Sequence, residues 1–349
     1  MSVVLRVPAA DWRAQQRRVL AATPGLVPVA KGNGYGFGLP RLAAEAAALG
    51  VDTLAVGTAA EVWAVRDEFD GQIVVLQPWR PGEPGAEELL ADPRVVHTVS
   101  RVADLEHLSA SGRRPAVLLE LLTSMKRHGM RVDELTAVRK VLAEDGVEVL
   151  GWTVHLPMPA ATGSNAVEAE RLAKAGLAVR TAPVWFSHLT GSDHARLRAT
   201  LYTPVRLRVG TDLWLGGSVR RRTTATVLDV HPVRRGEKVG YWQRSMPADG
   251  HVVVVSGGTA HGIALEAPTS ASTGRQRLIS AVNGSVEALG WARSPFTIGG
   301  KKRWFVEPPH MQASMVYVPG SRGIPAIGDE VPVELRLTTA TVDEVILED

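Results

Sequence analysis

Cysteine is absent from this 349-residue chain. That excludes a disulfide framework, a thiolate nucleophile and a zinc–thiolate site. Aromatic residues make up only 5% of it, and no basic run is interleaved with aromatics as a nucleic-acid stacking groove requires. An excess of one charge is also lacking: 39 Lys and Arg stand against 36 Asp and Glu, a formal net charge of +3. The densest positive clusters, Arg220–Arg222 and Lys301–Arg303, read first as solvated faces and only second as a rim for an anionic substrate. No stretch approaches the roughly 20 apolar residues that span a bilayer. Met1 to Val7 lacks the basic start and long apolar core of a signal peptide. The expectation is a soluble, cytoplasmic protein with neither nucleic acid nor membrane as partner and without a metal site.

What is present is an ordinary globular composition, 45% hydrophobic and 21% charged. Up to about residue 215, short apolar runs alternate with alanine- and leucine-rich helical stretches. The runs are Leu26–Lys31, Thr53–Gly57, Ile73–Gln77, Val95–Val99, Ala116–Leu121, Val149–Leu156, Pro183–Leu189 and Arg206–Trp214. Amphipathic stretches such as Leu39–Leu49, Ala59–Glu68 and Val132–Glu144 lie between them. Near-continuous apolar strands alternating with helices predict a parallel sheet covered by helices. Eight such units fit a TIM-like (β/α)8 barrel, whose chemistry gathers at the C-terminal ends of its strands. After Gly216-Gly217 the pattern changes to short strands divided by Gly, Pro and Asp: Thr223–Val230, Glu237–Tyr241, Val252–Val255, Met315–Val318 and Glu330–Leu337. The one helical stretch there is Ala281–Leu289. The expected division is therefore a barrel over residues 1–216 and a C-terminal, mostly β domain over 217–349.

Lys31 lies in Pro28-Val29-Ala30-Lys31-Gly32-Asn33-Gly34-Tyr35-Gly36-Phe37-Gly38, where an apolar segment delivers one lysine into a glycine-rich turn. A desolvated amine loses its proton more readily and can condense with an aldehyde as a Schiff base. The glycines let the backbone close on a bulky ligand such as a phosphate, and Tyr35 supplies a phenol within reach of it. The plain alternative is a surface lysine beside a flexible turn.

The order of motifs resembles the alanine racemase family over nearly the whole chain. The family's signature, lysine-alanine-asparagine-alanine-tyrosine-glycine-histidine-glycine, is matched by Lys31–Gly38 with conservative changes. Gly50–Gly57, with Glu61 and Arg66, resembles the family's second strand and helix. The resemblance implies a pyridoxal 5'-phosphate enzyme with a barrel and a β domain, in which Lys31 holds the cofactor and serves as one catalytic base. Tyr35 would contact the phosphate. In Leu118–Arg127, similar to the fifth strand and its exit loop, Arg127 falls on an arginine that touches cofactor and substrate carboxylate. Many relatives carry a carbamylated lysine where this chain has Glu120; either that carboxylate orients Arg127 or it is an ordinary barrel-core acid. His155 matches a histidine against the pyridine ring, although a hydrogen-bonded barrel histidine reads the same way. Arg208-Val209-Gly210-Thr211 resembles the eighth-strand end. There Arg208 would face the pyridine nitrogen without protonating it, and Gly210 and Thr211 would offer amides to the phosphate. Ser192 is the nearest hydroxyl for the seventh-strand ligand, but alignment puts Gly191 at that position.

Gly236–Tyr241 resembles the segment carrying the opposing catalytic tyrosine, which in the family reaches the partner subunit's site. A lysine–tyrosine pair supplies one base to each face of a planar carbanion. This implies a homodimer with shared active sites, acting on a small amino acid; a structural tyrosine on a β-strand is the alternative reading of Tyr241. Three departures stand on the substrate side. Gly258-Thr259-Ala260-His261-Gly262 replaces glycine-tyrosine-alanine-aspartate-glycine. His310-Met311-Gln312-Ala313 keeps Met311, whose amide suits a substrate carboxylate, but has Gln312 for an aspartate. The chain ends at Asp349, without the family's C-terminal tyrosine. These changes put alanine in doubt as substrate and leave other readings open: a racemase or epimerase of a bulkier amino acid, a non-catalytic pyridoxal-phosphate carrier, or a decarboxylase. Arg208 argues against the decarboxylase, which uses an acidic group at the ring nitrogen.

Overall fold

The computed structural model describes residues 2–158, 164–265 and 292–349. They form two compact units: Arg13–Gly217 in one, and the residues up to Trp12 with Ser218–Asp349 in the other. The first strand, β1 (Val3–Pro8), belongs to the second unit, and helix α1 (Ala9–Ala22) follows it. The N-terminal boundary thus differs from the division expected at residue 1. The cause is pairing: β1 runs antiparallel to the strand starting at Arg222 (Val3 opposite Ala225) and parallel to the last strand (Leu5 opposite Val345).

The Arg13–Gly217 unit is the eight-stranded barrel. Its strands are β2 (Leu26–Pro28), β3 (Thr53–Val56), β4 (Gln72–Pro78), β5 (Val95–Val99), β6 (Ala116–Leu121), β7 (Glu148–His155), β8 (Val184–Ser187) and β9 (Val205–Val209). The hydrogen-bonded order is β2-β9-β8-β7-β6-β5-β4-β3, all parallel. The Val29–Ala55 bridge, with Ala30 N–H donating to the Ala55 carbonyl at 2.8 Å, joins β2 to β3 and completes the ring. Val27, Val29, Ala55, Val74, Val96, Leu118 and Trp185 form a buried cluster contributed by successive strands. Each such aliphatic side chain contributes about 1.5–3 kcal/mol by leaving water.

Helices α2 (Leu39–Ala48), α3 (Ala59–Val65), α4 (Val102–Ala110), α5 (Leu135–Leu142), α6 (Ala166–Leu177), α7 (Gly191–Thr200) and α8 (Thr211–Trp214) connect the strands. Helix α5 shows why: Leu135, Val138, Val141 and Leu142 are buried at helical spacing while Arg139 and Lys140 face out. Several strands are shorter than the apolar runs suggested, β2 among them, which stops at Pro28 rather than Lys31. His188 adopts φ 56° and ends β8. The expected strand to Trp214 stops at Val209, because Gly210 takes a non-extended conformation and its carbonyl accepts from Leu213 and Trp214, starting α8.

The second unit continues with β10 (Arg222–Val233), β11 (Lys238–Val239), β12 (Arg244–Ser245), β13 (Gly250–Ser256), β14 (Arg293–Ile298), β15 (Lys301–Phe305), β16 (Ala313–Pro319), β17 (Glu330–Pro332) and β18 (Glu344–Glu348). The main sheet has the order β14-β15-β16-β13-β10-β1-β18, with β17 also paired to β10. Val3, Val227, Val253, Val255, Phe296, Phe305 and Val316 belong to its buried core. Strand β11 covers only Lys238–Val239, so Tyr241 lies in the turn after it rather than on a strand. The expected helix Ala281–Leu289 lies outside the described residues.

Candidate active site

Lys31 sits just beyond β2, its backbone gripped from both sides. Val29 N–H donates to the Val209 carbonyl at 2.9 Å, and Ala30 is bound to Ala55. The chain then coils through Gly32, Gly34, Gly36 and Gly38, all with positive φ, and through Tyr35 at φ 55°. Such a φ is uncommon for a side-chain-bearing residue and is held here by packing around the phenol ring. The Glu61 carboxylate straps this turn to the next loop, accepting from Gly32 N–H at 2.9 Å and Gly57 N–H at 2.6 Å.

A cavity of about 420 Å³ opens over the C-terminal ends of the strands, lined by Lys31, Gly57, Glu120, Arg127, His155 and Arg208, among others. Burial, then the Arg127 and Arg208 guanidiniums, hold the Lys31 amine below its ordinary range, opposed by Glu61. Arg208 is buried; desolvation lowers it to about 10, so it stays charged near neutral pH, and its Nε has no hydrogen-bond partner. Glu120, also buried, is raised by desolvation against the pull of Arg208, Arg127 and Arg80, and its Oε2 is unpartnered. Burial, with Arg208 and Arg127 next, pushes His155 down to about 2. Its Nδ1 lies 3.0 Å from the Ser187 hydroxyl, and its ring meets that of His188 edge-on at 5.2 Å. Arg127 is exposed in the loop after β6, which Met130 ties back by donating to the Glu120 carbonyl at 2.8 Å.

Tyr35, Gly210, Thr211 and Ser192 are not among the residues lining this cavity. Tyr35 is buried, and burial raises its phenol to about 12. A Cβ at Gly210 would stand 2.0 Å from the Tyr35 hydroxyl, so only glycine lets β9 end beneath that phenol. Thr211 opens α8. Ser192, in the first turn of α7, is exposed and lies 3.0 Å from the Thr190 hydroxyl that caps the helix. Above Gly191 there is open space.

The remaining expected residues belong to the β unit. Tyr241 and Met311 are 83% and 71% exposed, next to exposed Trp242 in the case of Tyr241. Thr259 donates its N–H to the His310 carbonyl at 2.9 Å, and Gly257 donates to that of Gln312 at 2.9 Å, so the two altered loops are knitted together. His261 is buried: its Nδ1 accepts from Gly258 N–H at 3.2 Å, which places the hydrogen on Nε2, 3.2 Å from Asp343. The substitution at 261 therefore serves the packing of its own unit.

Sequence reasoning did not single out Arg80, His128 or His188. Arg80 reaches the cavity while donating to Asp104 at 2.6 Å and to the Trp79 carbonyl at 2.8 Å. No spacing marks it, because its neighbours come from other strands. The left-handed backbone at His188 has no signature either, since glycine does not stand there. Among the described residues no cluster of three or more metal-ligating side chains occurs, and no helix is long and apolar enough to cross a membrane.

A parallel barrel with one lysine and three arginines, Lys31, Arg80, Arg127 and Arg208, around a cavity at its strand ends, joined in sequence to a β unit, has the architecture of the barrel-plus-β class of pyridoxal-phosphate enzymes. The model of the alanine racemase N-terminal domain matches residues 8–216, and the chain belongs to the alanine racemase family. Among its relatives, the Mycobacterium bovis alanine racemase is 30% identical over 261 residues, covering 68% of this chain and 67% of that protein. The Mycobacterium leprae alanine racemase is 30% identical over 159 residues, 44% of this chain and 41% of that protein. The Bartonella henselae alanine racemase structure, which has covalently bound pyridoxal phosphate, superposes with TM-score 0.75 at 18% identity over the whole of both chains. The Streptomyces lavendulae enzyme gives TM-score 0.69 at 21% identity, over 95% of this chain and 87% of that one. These two show a shared fold.

Proposed function

We propose that this chain is a pyridoxal-phosphate-dependent racemase that inverts the Cα of a free amino acid, with Lys31 and Tyr241 as the two bases. The observation that carries the reading is the Lys31 amine, depressed by burial and flanked by Arg127, His155 and Arg208 around one cavity. The residues fit the cofactor. A buried guanidinium with an unpartnered Nε suits a pyridine nitrogen, and the open space above Gly191 beside the first turn of α7 suits a phosphate. Lys31 would hold the cofactor; Tyr35, Ser192, Gly210 and Thr211 would surround its phosphate. When bound, pyridoxal phosphate supplies the electron-withdrawing ring that makes a substrate Cα–H acidic.

The chain's own groups do the rest. Arg127, exposed in the loop after β6, offers a planar fork to the substrate carboxylate. Arg208 would face the ring nitrogen while keeping its own proton, so that it would limit electron withdrawal by the ring. His155, held neutral by burial, would lie at the ring without adding charge. Lys31 takes or returns the proton on one face, and Tyr241 of a partner copy does so on the other. The exposed Tyr241 and Trp242 side chains support a homodimer in which that surface is covered, and we place the protein in the cytoplasm, making or consuming D-amino acids. Thr259, where the family has a tyrosine, supports a substrate bulkier than alanine.

A panel of L- and D-amino acids incubated with the loaded enzyme in D2O tests this. At least one enantiomeric pair should exchange its α-proton and interconvert, and Tyr241→Phe should slow that interconversion on the order of 10²–10⁴-fold with cofactor retained. Exchange of no amino acid by the loaded protein would contradict it and leave a cofactor-carrying role.

A further inference from the structure

Beside Tyr241 the second unit holds two residues, Glu307 and His310, that the two-base reading does not use. Glu307, two residues after β15, is buried at 4% exposure. Its Oε2 accepts the Tyr241 backbone N–H at 2.7 Å, and its Oε1 lies 2.8 Å from His310 Nε2. A carboxylate only accepts, so Nε2 carries the hydrogen and the imidazole is fixed at that end. The His310 ring then lies against the Tyr241 ring, centroids 5.1 Å apart and planes at 45°. The turn is shaped for this. Gly240 has φ 78°, and a Cβ there would stand 2.2 Å from Glu307 Oε2, so glycine alone lets the turn descend onto the carboxylate. On the other side, His310 N–H donates to the Ala313 carbonyl at 2.9 Å and holds its own loop closed.

We propose that His310, oriented by Glu307, is the positioning residue for Tyr241. One buried carboxylate grips both the backbone of the tyrosine and the ring packed on its side chain. An 83%-exposed tyrosine would otherwise sample several rotamers; this clamp holds its phenol in one place. The inference rests on the reading of Tyr241 as the second base, because only a proton-transferring phenol gains rate from being held.

The test compares wild type, His310→Ala, His310→Phe and Tyr241→Phe as loaded enzymes. The probes are the α-deuterated L and D forms of whichever amino acid the wild type exchanges fastest. His310→Ala should lower kcat on the order of tenfold and leave KM within about twofold. The α-deuterium isotope effect should rise for one enantiomer only, the one whose proton Tyr241 removes. His310→Phe, which keeps a ring against the phenol, should recover most of the rate. Independently of activity, the ring-carbon NMR signal of Tyr241, assigned by its loss in Tyr241→Phe, should move in His310→Ala. An unchanged kcat, or a fall with equal isotope effects for both enantiomers, in an enzyme that Tyr241→Phe inactivates, overturns this inference alone. Full interconversion by Tyr241→Phe overturns the second-base reading and the kinetic role of His310 with it, even if the NMR signal moves.

Discussion

Gly210 concentrates the logic of the cofactor side in one missing atom. The Tyr35 phenol occupies the place a Cβ would take, at 2.0 Å, so the ring and the end of β9 are mutually dependent. Gly210→Ala should displace Tyr35 and weaken pyridoxal-phosphate affinity about 10- to 100-fold, or about 1.4–2.7 kcal/mol, read as the apparent Kd by absorbance titration. An unaltered affinity would remove Tyr35 and Gly210 from the phosphate side. Lys31 was legible at this scale because glycine-rich turns after apolar runs carry a mark in the sequence. The strap made by Glu61 was not, although the resemblance named that residue, and Arg80 and His128 were not marked at all. Their neighbours lie on other strands and loops: Glu61 binds Gly32, 29 positions away, and Arg80 binds Asp104, 24 away. No single-chain spacing announces such a pair.

The barrel strands were legible as elements because most are apolar runs with burial on both faces, bounded by turn residues. β5 is the clearest, with all five residues buried. The same burial forces His97 on β5 to stay neutral; desolvation pushes it from its ordinary 6.5 down to about 4, despite a contact with the Leu89 carbonyl at 3.4 Å. The unfolded chain takes up a proton below pH 6.5 while the fold does not. Stability from this group is therefore whole above about pH 6.5 and lost as pH falls toward 4, by about 1.4 kcal/mol per unit. Urea unfolding between pH 7 and 4.5 should show a steeper loss in wild type than in His97→Leu by about that slope; equal slopes would mean that His97 is protonated in the fold. Elements without an apolar run were missed. β14 contains Pro295, and β15 begins Lys301-Lys302-Arg303, so neither reads as a buried strand. The overextension of the eighth run to Trp214 has the opposite cause. Leu213 and Trp214 are apolar and buried, yet they sit on a helical turn begun at Gly210.

At the scale of the whole molecule, the change of pattern at Gly216-Gly217 marked the end of the barrel, while its beginning was hidden. β1 was not among the expected strands, and only pairing with β10 and β18, more than 200 residues away, assigns it to the β unit. On the expected substrate side, Thr259 and Gln312 stand in knitted loops beside Met311, whereas His261 is a buried tie to Asp343. All of the proposed chemistry depends on one amine at the barrel mouth. Borohydride reduction of the protein incubated with pyridoxal phosphate, followed by mass-spectrometric peptide mapping, tests it most directly. The pyridoxyl mass should appear on the peptide containing Lys31 and vanish in Lys31→Arg; labelling of a different lysine, or of none, would contradict the assignment.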